Sequence, residues 1–225
     1  MDNLLIKWAH QSASILAFAE KLGIKHGDVK TSKMLIDQND NLHLIGFEEA
    51  ETFLETFNFQ NNELEKQNNQ DSSINSVTPI YVAPEIETKK VSVPFLSDVY
   101  SWGVCFYILL SGQTSSFKSL DTQKMQYNFD DLKENPKDHE EILKALEQCH
   151  FYGSNCQKLK SKFLPILRTC LNYYPTRIMN FFQLDFILKE FDNLSEEEIN
   201  EKVKNFSNDE QKIVILNPNE LSAKW

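Results

Sequence analysis

Long apolar runs are missing from this 225-residue chain: the most apolar stretch, VCFYILL from Val104 to Leu110, is seven residues long. A helical bilayer crossing needs roughly 20, so the sequence predicts no membrane span and reads this run as buried helix. Cysteine is sparse and unpatterned. Cys105, Cys149, Cys156 and Cys170 show no CxxC spacing, which argues against a metal framework and for reduced thiols. Glycine is also scarce, with six residues and no GxGxxG segment to cradle phosphates. Positive charge falls short of negative: 23 Lys and Arg against 33 Asp and Glu give a formal net charge of -10. With a pI near 5.0, broad binding to a polyanion is disfavoured and nucleic acid is not an expected partner. The amino terminus, MDNLLIKWAHQS, lacks a basic region followed by an apolar segment and a small-residue cleavage site, so the expected compartment is the cytoplasm.

What is present points to a packed body. The hydrophobic fraction is 41%, with 16 Phe and 7 Tyr, enough to build one core. Leu4, Leu5, Trp8, Ile15, Leu16, Ala19 and Leu22 recur at three- and four-residue steps, the mark of a helix that Gly23 would end. MLID and LHLIGF flank the turn-forming QNDN and predict a small hairpin. Glu55 to Ser76, rich in Asn, Gln, Glu and Ser, reads as a solvated loop. DVYSWGVCFYILLSG is apolar nearly all round and predicts a central helix ended by Gly112. Helical spacing returns over Ile142 to Gln148, Lys162 to Leu171 and Phe181 to Phe191. Ser195 then opens a capped acidic exterior helix, its side chain placed to accept from a backbone amide near Glu198. KIVIL near the carboxy terminus could add a strand.

In this order, the helix, HGDVKTSKMLID, the hairpin, LIGF, TPIYVAPE, SDVYSWGVCFYILLSG and CLNYYPTR together resemble the carboxy-terminal lobe of the protein kinase family. The resemblance implies a mainly α fold: a kinase C-lobe-like helical domain with a small β-hairpin at the catalytic-loop position and no N-lobe. It would span residues 1–191, with an activation-segment insertion at about 48–77, and an acidic helix and tail would follow over 192–225. It further implies that Asp98 accepts backbone hydrogen bonds from the loop around His26, with His26 packed beneath, and that Glu85 pairs with Arg177.

Several positions depart from the family pattern. Asp28 and Lys30 match the catalytic loop H-R-D-L-K-x-x-N, but Gly27 replaces its Arg and Lys33 its Asn. A charged Lys has donors and no lone pair, so it does not ligate magnesium. Where the family has D-F-G, this chain has Gly46, Phe47 and Glu48. The departures make Asp28 and Lys30 relic positions and Lys33 and Gly46 degenerate ones, with no metal, no cofactor and no ATP expected. The sequence therefore predicts a catalytically inactive kinase-like protein, not an enzyme, serving as a protein-binding scaffold or structural subunit of a cytoplasmic, cytoskeletal or ciliary assembly. Its alternatives are the carboxy-terminal half of a split or truncated Ser/Thr kinase, or a pseudokinase regulator of another enzyme. Protein partners would dock on the face that an N-lobe normally covers, near Leu4, Leu35 and Leu44, and on the tail.

Overall fold

In the computed structural model the first element is helix α1, Asp2–Lys21. The structure describes residues 2–52, 79–83, 95–112, 147, 156–172 and 179–206. Leu5, Ala9, Ala13, Leu16 and Ala17 form the buried stripe of α1, as the three- and four-residue spacing requires. Ser12 is also buried on that stripe; its hydroxyl donates to the carbonyl of Trp8 at 2.8 Å and accepts the indole N–H of Trp102 at 2.9 Å.

The strands are short. β1, Ile24–Lys25, pairs antiparallel with β4, Glu51–Thr52, while β2, Met34–Ile36, and β3, Leu42–Leu44, form the hairpin with Leu35 opposite His43. The single hairpin expected from the sequence is thus accompanied by a second two-stranded sheet. Two-residue strands carry no readable alternation, and their pairing is decided by how the intervening loop folds back. The β2–β3 turn is held by Asp37, whose carboxylate accepts the backbone N–H groups of Asn39 and Asn41, both at 2.8 Å. Trp8 docks that turn on α1 by donating its indole N–H to the carbonyl of Asp40 at 3.0 Å.

Helix α2, Leu96–Ser111, runs through the centre, and every residue in it except Leu109 is buried. It ends at Gly112, whose N–H bonds the carbonyl of Ile108 at 2.8 Å. Helix α3, Cys156–Cys170, crosses α2 closely at Gly103, where a Cβ would stand 2.8 Å from that of Cys170. Helix α4, Phe181–Lys189, lies along α1 and opens with a capping box between Asn180 and Gln183.

Helix α5, Glu196–Phe206, has its own reciprocal box: Glu198 N–H donates to Ser195 Oγ at 3.2 Å and Ser195 N–H to Glu198 Oε2 at 2.7 Å. It is acidic on one side only. Ile199 and Val203 are buried and packed into the main core, so the exterior helix read from composition is an amphipathic one seated on α3. Lys162 of α3 fastens this corner, its ammonium donating to the carbonyl of Phe191 at 2.8 Å and lying 5.3 Å from the Phe191 ring centroid. Among the described residues no helix is long and apolar enough to cross a membrane.

Candidate active site

The loop from His26 to Lys33 leaves β1 and runs over the first turn of α2 into a short 3-10 turn, Thr31–Lys33. Its anchor is Asp98, which is buried in the first turn of α2. The carboxylate accepts the His26 N–H at 2.7 Å and the Gly27 N–H at 3.1 Å. Burial pushes the Asp98 carboxyl above its ordinary range, against the opposing attraction of Lys25 and the two backbone donors. Phe95, just before α2, has a φ of 73°, an uncommon setting for a residue with a side chain, and its carbonyl receives the Asp98 N–H at 3.0 Å.

The His26 side chain bridges the loop to the segment after β3. Its Nδ1 accepts the Asp28 N–H at 3.2 Å, which leaves the ring proton on Nε2, 3.1 Å from the carbonyl of Ile45. The ring also lies against Phe47, with centroids 4.5 Å apart. Thr31 reaches the Tyr81 hydroxyl at 2.9 Å, and Ser101 of α2 donates to the Tyr81 carbonyl at 2.7 Å, so the IYVA segment is tied to the loop and to the central helix.

Asp28 and its two lysines form the chemical centre. Lys30 Nζ lies 2.7 Å from Asp28 Oδ2, and Lys33 Nζ lies 3.8 Å from the same oxygen and 3.4 Å from Glu48 Oε2. Glu48 is held below its ordinary range first by its own backbone N–H and then by Lys33. Gly46 stands beside this group with a φ of +90°, in the left-handed region that glycine enters freely. Gly27, at +81°, faces the Glu49 carbonyl oxygen, which a Cβ would meet at 2.6 Å.

The structure therefore brings together His26, Asp28, Lys30, Lys33, Gly46, Phe47 and Asp98. Glu85 and Arg177 lie outside the described residues, as do most of the 48–77 insertion and the KIVIL segment. Sequence reasoning missed Glu48 as a partner of Lys33, because a turn between β3 and β4 folds it back over the loop. It also missed Lys25, whose ammonium pulls on Asp98 and lies 3.7 Å from Glu51.

The family model described as the protein kinase domain matches residues 2–184. The chain belongs to the protein kinase domain family. It is 31% identical over 113 residues to CBL-interacting serine/threonine-protein kinase 2 of Arabidopsis thaliana, covering 49% of this chain and 22% of that kinase. Serine/threonine-protein kinase kin-29 of Caenorhabditis elegans is 30% identical over 113 residues, 49% of this chain and 12% of the relative. CBL-interacting protein kinase 10 of Oryza sativa subsp. japonica is 31% identical over 108 residues, covering 47% and 21%. The aligned region thus spans about a fifth or less of these relatives' own length. These findings correct the expectation that the chain is not an enzyme: the domain match and the kinase relatives both point to a kinase enzyme.

Kinases of this family use magnesium; here the carboxylates of Asp28 and Glu48 both face the Lys33 ammonium. On the family pattern read from the sequence, Lys33 stands at the position of the Asn and Gly46 at that of the metal carboxylate, where no side chain is present.

Proposed function

We propose that this chain supplies the substrate-facing helical lobe of a serine/threonine protein kinase, with Asp28 as the group that receives the proton of the substrate hydroxyl. The observation that carries the reading is the Asp28 carboxylate itself. It is held by Lys30 on a loop hung from Asp98, inside a region that matches the kinase domain. In the transfer, the hydroxyl oxygen forms a bond to the terminal phosphorus of a nucleoside triphosphate, the bond to the leaving diphosphate breaks, and the hydroxyl proton passes to Asp28. Lys30 sets the direction of the carboxylate through its contact with Oδ2.

Leu35, Ile36, Ile45 and Phe47 are 49%, 42%, 42% and 41% exposed around the hairpin and the loop behind it. Large apolar side chains gathered there support docking of a second lobe, which would supply the nucleotide roof. The protein-partner face expected from sequence would fall on this hairpin side, where Leu35 is exposed and Leu4 and Leu44 are half-buried.

The test is a phosphoryl-transfer assay on the protein purified with whatever polypeptide accompanies it, using labelled ATP and a Ser/Thr peptide library. Asp28→Asn should lower the rate by at least a hundredfold while leaving the melting temperature within a few degrees. Transfer that is unchanged by Asp28→Asn would overturn the reading.

A further inference from the structure

The side chain of Lys33 fills the space that any side chain at position 46 would need. A Cβ built on Gly46 would lie 2.5 Å from Lys33 Nζ and 2.6 Å from Cε, and closer still to Cδ. Real Cβ atoms do not approach other heavy atoms so closely, so any side chain at position 46 would require Lys33 to leave this rotamer. Lys33 and Gly46, the two departures from the family pattern, thus lie side by side in the fold.

The Lys33 side chain also brings positive charge to this point. The Lys33 ammonium stands between two carboxylates, 3.4 Å from Glu48 Oε2 and 3.8 Å from Asp28 Oδ2. Only the first is a hydrogen-bonding distance, and an ammonium carries three N–H donors. A cation so placed repels a divalent ion by Coulomb's law and offers donors to phosphoryl oxygens.

Resting on the kinase-lobe reading, we propose that Lys33 takes the place of a divalent cation, so that the site holds a phosphoryl group directly through its ammonium, with no metal ion between them. The ligand class is a polyphosphate, free or as the tail of a nucleotide. The chain's net charge of -10 opposes non-specific anion binding, so polyphosphate uptake would report this site and not the general surface.

Calorimetric titration of the full protein with inorganic triphosphate, in EDTA and then in excess magnesium, tests this. The wild type should bind in EDTA, and magnesium should leave the affinity within threefold or weaken it. Lys33→Gln should reduce affinity at least tenfold in EDTA with an unchanged melting temperature. The double variant Lys33→Asn with Gly46→Asp should bind triphosphate only with a divalent ion present, and should take up Mn2+ in an electron paramagnetic resonance titration that the wild type fails. Wild-type binding that requires magnesium, or Lys33→Gln binding as tightly as wild type, would overturn the inference and leave the kinase-lobe reading standing. No binding in either buffer would also overturn it, and the Asp28→Asn transfer assay then decides the kinase reading separately.

Discussion

Asp98, in the first turn of the central helix, and His26, seventy-two residues earlier in the chain, are joined by a 2.7 Å hydrogen bond from the His26 backbone to the Asp98 carboxylate. With the adjacent bond from Gly27, this contact sets the height at which Asp28 stands over the core. Neither donor has a strand or helix partner to fall back on, so the carboxylate is what satisfies the loop.

Asp98→Ala should therefore lower the unfolding free energy by about 3–5 kcal/mol, the range for removing one side of a buried charged contact. Urea denaturation measures it. A loss under about 1 kcal/mol would mean that water or another group replaces the carboxylate without cost.

Glu20 should make stability fall as pH rises. It is buried at the start of α4, where Oε2 accepts the Phe181 N–H at 3.0 Å while Oε1 has no hydrogen-bond partner. Burial raises its pKa from 4.5 to about 7, against the Phe181 N–H and with some help from Asp98. Because the folded pKa is raised, the native state holds the proton after the unfolded chain has lost it. The stability present below the unfolded value is lost as pH climbs from about 4.5 to about 7, with a slope of up to about 1.4 kcal/mol per pH unit. Thermal unfolding across that window should show the decline, and Glu20→Gln should flatten it. An equal slope in the variant would assign the decline to other groups.

Lys162→Met should cost about 1–3 kcal/mol by stranding the buried carbonyl of Phe191, despite keeping most of the apolar stem. Hydrogen exchange would locate the loss at the α3, α4 and α5 corner. Uniform loss of protection across α1 and α2 would instead mark Lys162 as part of a single cooperative core.

Gly103→Ala tests the crossing of α2 and α3. The added methyl meets Cys170 Cβ at 2.8 Å and Leu171 Cδ2 at 3.1 Å, so α2 and α3 must separate at a cost of about 1–3 kcal/mol. Combining it with Cys170→Gly, which removes the facing Cβ, should recover part of the loss in a double-mutant cycle. Strict additivity of the two changes would show that the crossing relaxes elsewhere.

The sequence by itself determined whatever depends on neighbours a few residues apart. Apolar spacing placed α1, a run apolar nearly all round placed α2, glycine placed the end of α2 at Gly112, and the Ser195 and Glu198 pair marked the start of α5. Motif order placed Asp28, Lys33 and Gly46 in one loop region, because a family pattern is itself a linear signal. Only the tertiary structure decided the contacts that close over long stretches of chain. Ile24 finds Thr52 across a second sheet, Glu20 caps a helix 161 residues away, and Glu48 turns back onto Lys33. Periodicity reports which face of an element is apolar, and it carries no record of which distant backbone group fills a given space. That is why Lys33 and Gly46 read in sequence as two separate departures, while in the folded chain the Lys33 side chain lies directly beside the glycine.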